Sequence, residues 1–146
     1  MELWLPIKNY EGLYEVSNKG NVRSVARYES FIRLGNETRR LKAGRILTPI
    51  NRDEYLGVCL SKGKSRKCYL IHRLVADAFI PNPNGYPQIN HKDENKFNNI
   101  VENLEWCTAK YNDNYGSRNT KLSKSLKERK DNYGNWWKEI DGTIDR

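Results

Sequence analysis

At 146 residues the chain has room for one domain, or for one small domain with an appended arm. Apolar residues make up 37% and mean hydropathy is -0.90, too polar for one uniformly packed core, so part of the chain is expected to be extended or partner-dependent. A net charge of +8 and a pI near 9.4 argue for a polyanion as partner.

No run approaches membrane-spanning length, and residues 1–12 carry Glu2 and Lys8 without an apolar signal core. A soluble, cytoplasmic protein with no membrane partner is expected. The stretch "GLYEVSNKGNVRSV" predicts a hairpin, with Tyr14, Val16, Val22 and Val25 in β-prone runs about the turn residues "NKGN". Residues 28–45 are polar and Arg-rich with no clear period, and read as a loop that orders on phosphates. "RILTPI", "EYLGVCLS" and "KCYLI" predict three further strands of a small antiparallel sheet with basic turns.

The period then changes. "HRLVADAFI" places Leu74, Val75, Ala78 and Phe79 at helical spacing, and "PNPNGYP" ends that helix. "QIN" and "NLEWC" predict short strands around the loop "KDENKFNN", with Leu104 and Trp106 turned inward. Thr108 is a candidate N-cap for a helix "AKYNDNY" that stops near Gly116. Beyond it "NTKLSKSLKERK" predicts an exposed basic helix, and Trp136 and Trp137 are expected to pack back on the domain.

Cys59, Cys68 and Cys107 are an odd number without a CxxC pair, and His72 and His91 are the only histidines. Buried free thiols are expected, and no structural zinc. His72 reads as a structural residue and Asn98 and Asn99 as turn or cap residues. The basic excess is uneven: residues 19–73 hold 14 Lys or Arg against 4 acids, and residues 110–130 hold 7 against 2. Two basic zones about a polar centre fit a nucleic acid touched on both sides. Candidate contacts are Arg23, Arg27 and Arg45, the turn group Lys62, Lys64, Arg66 and Lys67, and Lys121, Lys124 and Lys127 on the distal helix.

The polar centre gathers six asparagines between residues 88 and 112 around His91. A neutral imidazole can deprotonate water near pH 7, and amide oxygens are hard donors suited to Mg²⁺ or Mn²⁺. Strand, loop, strand and helix can bring His91, Asn90 and Asn112 to one spot, with Asn103 holding the loop. That arrangement suits phosphodiester hydrolysis. The same residues also fit a polar loop in which His91 is incidental and each Asn caps or turns the chain.

The segment "INHKDENKFNNIVENLEWCTAKYN" closely resembles the core of HNH endonucleases of the phage and intron homing branch. "HRLVADAFIPNP" is similar to the stretch preceding that core, and "WLPIKNYEGLYEVSNKGNVRS" resembles a modular domain often fused ahead of it. The resemblance runs from residue 4 to about residue 115. It implies an α+β chain: an N-terminal antiparallel DNA-binding module over 1–70, a ββα-metal (His-Me finger) core over 71–116, and a basic helical arm over 117–146. It implies His91 as general base, Asn103 as the residue orienting loop and base, and Asn90 and Asn112 as ligands of one divalent ion, Mg²⁺ or Mn²⁺. Where relatives carry Asp or Asn this chain has Asn90, so neither proposed ligand brings charge.

The expected activity is metal-dependent cleavage of double-stranded DNA. A monomer is favoured and would nick; a dimer would cut both strands. The rivals are a non-cleaving DNA-binding protein on a decayed core, and an RNA-binding or RNA-processing protein.

Overall fold

The computed structural model describes residues 1–128, in two compact units, one over Met1–Thr108 and one that begins at Ala109. Trp136 and Trp137, and the end of the basic stretch at Lys130, lie outside the described residues.

The first unit is mixed α+β, made of small antiparallel sheets. Strands β1 (Trp4–Pro6), β2 (Tyr14–Ser17) and β3 (Val22–Ser24) form the predicted hairpin with one strand added before it. Ser17 Oγ accepts from the backbone amides of Lys19 and Asn21, so the turn at residues 18–21 is tied from inside. The short β6 (Arg45–Ile46) completes this sheet in the order β1-β2-β3-β6.

Between β3 and β6 the chain is not the expected loop. Strands β4 (Arg27–Arg33) and β5 (Asn36–Lys42) pair over their whole length as a ribbon. Leu34 and Gly35 turn it with φ of 51° and 79°, the double positive φ that matches strand twist in a two-residue hairpin. Most of its side chains are exposed, so no inward period marks it in the sequence.

Strands β7 (Ile50–Arg52), β8 (Tyr55–Lys62) and β9 (Ser65–Leu70) form a three-stranded meander. Cys59 and Cys68 are direct cross-strand partners there and are joined in a disulfide, rather than standing as the free thiols their odd number suggests; Cys107 is the buried free thiol among the described residues.

Helix α1 (Ile71–Phe79) follows without a break. It buries Ile71, His72, Leu74, Val75 and Ala76 and leaves Arg73 and Asp77 outside. Ile80, ahead of Pro81, turns extended and ends it, as pre-proline crowding requires. Strands β10 (Gln88–His91) and β11 (Leu104–Cys107) then pair as a hairpin across a long loop, with a short 3-10 turn over Val101–Asn103.

One buried cluster joins these parts. Val16 and Val22 from the first sheet meet Val58 and Leu60, Ile71 and Val75 of α1, and Ile89 and Leu104 of the hairpin. Each such aliphatic side chain contributes about 1.5–3 kcal/mol by leaving water. The cluster spans the boundary that the sequence suggests at residue 70.

In the second unit, α2 (Ala109–Asn114) forms where a helix is expected, and Gly116 (φ 64°) interrupts the chain as predicted. Residues 118–128 are helical, with Leu122 and Leu126 exposed.

Candidate active site

The β10–β11 register sorts the candidate residues. His91 lies opposite Leu104, and Asn90 opposite Glu105. Neighbours on a strand face opposite sides, so His91 goes with the core face and Asn90 with the other.

His91 is only 5% exposed. Its Nε2 lies 3.0 Å from Oδ1 of Asn99. An amide oxygen only accepts, so Nε2 carries the proton and Nδ1 is the basic nitrogen. The His72 ring stands edge-on, with centroids 5.2 Å apart, and Tyr55 is tilted against both imidazoles. Burial lowers the His91 pKa first of all, and the Lys96 ammonium adds to this; the Asn99 bond and the Asp93 carboxylate act the other way. His91 is therefore neutral at pH 7, as a base must be.

His72 is equally buried, and its Nδ1 has no hydrogen-bond partner among the described residues. Burial brings its pKa down to about 4.

Asn103 governs the loop. Its Oδ1 accepts from the Asp93 amide, and its Nδ2 donates to Asp93 Oδ1 and to the Asn98 carbonyl, each within 3.0 Å. The Asp93 carboxylate also takes the Asn95 amide and Asn98 Nδ2, and these bonds hold its pKa below the usual carboxylate range. Asn103 thus shapes the loop, while the side chain hydrogen-bonded to His91 is that of Asn99. Sequence reading gave Asn99 a turn or cap role; the doublet of Asn98 and Asn99 was the available signal. The β2–β3 turn reinforces the same spot. Val101 N donates to the Asn18 carbonyl at 2.9 Å, and a Cβ on Gly20 would fall 3.0 Å from Cβ and O of Asn99.

Asn90 is 4% exposed, and its Nδ2 donates to Oε1 of Glu105 at 2.8 Å. Glu105 is the other functional candidate that sequence reading missed; only the strand register reveals it. Asn112 lies on α2, in the second unit, and is half-buried. Among the described residues no group of three or more His, Cys, Asp or Glu side chains is placed to hold a metal ion. The donors available in the first unit are oxygens of an amide and a carboxylate, which suit a hard cation. At the loop's outer side Lys96 pairs with Glu54 and lies 5.0 Å over the Tyr55 ring.

The basic candidates divide. Arg27, Arg45, Lys62 and Arg66 come together with Lys42 around a cleft of about 540 Å³. The Glu29 carboxylate there is shared by Arg27 and Lys42, each at 3.0 Å. Arg23 is committed elsewhere: it pairs with Glu15 at 2.6 Å and lies 4.1 Å over the Trp4 ring. Lys64 and Lys67 are exposed on the β8–β9 hairpin outside that cleft, and Lys121, Lys124 and Lys127 are exposed in the helical stretch of the second unit. No helix of the described residues is long and apolar enough to cross a membrane.

Known proteins resemble this chain in sequence and fold. Residues 2–61 match the NUMOD4 motif, and residues 69–114 match HNH endonuclease. DNA endonuclease I-HmuI of Bacillus phage SP01 is 39% identical over 122 residues, 80% of this chain and 59% of that one. An uncharacterized HNH endonuclease of Acanthamoeba polyphaga mimivirus is 51% identical over 72 residues, 49% of this chain and 22% of that one. The chain thus spans less than two thirds of the length of these curated relatives. A solved structure described as DNA binding and cleavage by the HNH homing endonuclease I-HmuI superposes with a TM-score of 0.56 at 31% identity, covering 84% of this chain and 66% of that one. With a NUMOD4 motif in front and an HNH segment behind it, this chain belongs to the HNH homing endonuclease family.

Proposed function

We propose that the protein is a divalent-metal-dependent DNA endonuclease that hydrolyses phosphodiester bonds in the cytoplasm, nicking duplex DNA as a monomer. The observation that carries this reading is the seating of His91. Asn99 holds its Nε2, burial keeps the ring neutral, and Nδ1 is left as the nitrogen that takes a proton from water. Asn90 offers an amide oxygen as a cation donor, and Asn112 is added on the sequence pattern alone. A bound Mg²⁺ or Mn²⁺ would offset charge at the phosphate and at the departing oxygen. We read residues 71–116 as a ββα-metal core, residues 1–70 as the DNA-binding module ahead of it, and residues 117–146 as a basic arm. The cleft formed by Arg27, Lys42, Arg45, Lys62 and Arg66 suits a phosphate backbone, whose contacts give affinity without sequence information.

The test is plasmid nicking in Mg²⁺, Mn²⁺ or EDTA by the full chain and by His91→Ala. Nicking that EDTA and His91→Ala both abolish, with DNA binding kept, is the expected result. Equal activity of His91→Ala overturns the mechanism. Binding without cutting in either metal makes the chain a non-cleaving DNA-binding protein, and a preference for structured RNA over duplex DNA overturns the substrate.

A further inference from the structure

Asn90 stands where a charged ligand would bind a divalent cation more strongly, and it is neutral. The structure places a carboxylate directly behind it. Glu105 is the cross-strand partner of Asn90 in the β10–β11 register, on the same side of the hairpin, and Asn90 Nδ2 donates to Glu105 Oε1 at 2.8 Å. We propose that Glu105 is a positioning residue that supplies, through the Asn90 amide, the negative charge the cation site otherwise lacks.

Three physical points carry the proposal, which rests on the nuclease reading above. First, a carboxylate only accepts hydrogen bonds, so the atom of Asn90 facing Glu105 is the nitrogen and the oxygen is turned to the other side. The partner fixes which end of the amide a cation would meet. Second, donation to an anion draws charge through the amide and makes its oxygen a stronger donor, as when a carboxylate backs a metal-binding histidine. Third, Asn90 is almost fully buried and Glu105 half-buried, so water screens the pair weakly. The hairpin thereby divides one charged ligand into two residues: an amide that would touch the cation and a carboxylate one hydrogen bond behind it.

Mn²⁺ binding by electron paramagnetic resonance tests this in the full chain with duplex DNA present, in a His91→Ala background that prevents cutting. Glu105→Gln is nearly isosteric but removes the charge and lets the amide turn either way. It is expected to weaken Mn²⁺ binding by about 10-fold or more, with DNA affinity in EDTA unchanged. The exchange Asn90→Asp with Glu105→Gln returns one carboxylate to the hairpin and should recover most of that loss; this variant also keeps the test valid if the single change unfolds the hairpin. Unaltered Mn²⁺ binding by Glu105→Gln, or no recovery in the exchange variant, overturns the proposal. Parallel nicking by the wild-type chain separates the two levels. A chain that nicks but whose Mn²⁺ binding ignores Glu105 loses only this inference; one that neither nicks nor binds Mn²⁺ loses the nuclease reading as well.

Discussion

The side-chain oxygen of Asn99 sits 3.0 Å from Nε2 of His91, eight residues away on the far side of the β10–β11 loop. This bond sets the tautomer of the imidazole and fixes its plane. Asn99→Ala is expected to lower the nicking rate by about 100-fold, the order of loss for a misdirected reacting group, while DNA affinity holds. Single-turnover kinetics beside a binding isotherm checks it; an unchanged rate means another contact aims the ring.

Gly20 should also be sensitive although it lies in the β2–β3 turn, outside the β10–β11 hairpin. Its φ of 83° disfavours any side chain, and an added Cβ would meet Cβ and the backbone oxygen of Asn99 at 3.0 Å. Gly20→Ala is expected to destabilise the fold by about 1–3 kcal/mol and to slow nicking. Asn99→Ala on top of it should cost less rate than it does alone, because both changes disturb one contact. A thermal melt and a double-mutant cycle on the rate measure this; full additivity argues against the coupling.

The pH dependence of nicking follows from the surroundings of His91. A base works when deprotonated, so the rate should rise with pH and level off, with a midpoint below the ordinary 6.5, chiefly because burial disfavours the imidazolium. Asp93 favours the charged ring and Lys96 disfavours it. Asp93→Asn should therefore move the midpoint lower, and Lys96→Met should move it higher. Opposite shifts in the two pH–rate profiles are the signature; shifts of one sign would refute the assignment.

His72 predicts an acid weakness of the fold. Its pKa falls from 6.5 to about 4 on folding, chiefly through burial. Above 6.5 neither state holds the proton. As pH falls toward 4 the unfolded chain takes it up and the folded chain does not, so stability drops by up to about 3 kcal/mol. Denaturant titrations at pH 7 and pH 4.5 on the wild type and His72→Phe should show a smaller loss in the variant.

Much of this fold is legible in the sequence wherever one face is buried. The alternation of Tyr14 and Val16, the spacing of Leu74 and Val75 and the stop at Pro81 all reflect contact with the core. The β4–β5 ribbon escaped because exposure on both faces leaves no period to read, and Leu34 and Gly35 alone carried its turn. At the site, His91 and Asn103 stand out by residue type and surroundings. Asn99 and Glu105 do not, since the role of each depends on a partner that only the loop path or the strand register brings near.

The two family segments meet in the hairpin of β8 and β9: one match ends at residue 61 and the other begins at residue 69. Those strands are hydrogen-bonded to each other, and Leu60 of the first is sealed in the same cluster as Ile71 and Leu104. Anyone building chimeras by exchanging the front segment would therefore be cutting through a shared interior rather than a linker. A donor segment must bring a strand that pairs with β9, side chains that fit around α1, and a glycine-bearing turn that seats against Asn99. Inheritance of the parts in separate pieces is compatible with this join only where both sides of the seam were refitted together.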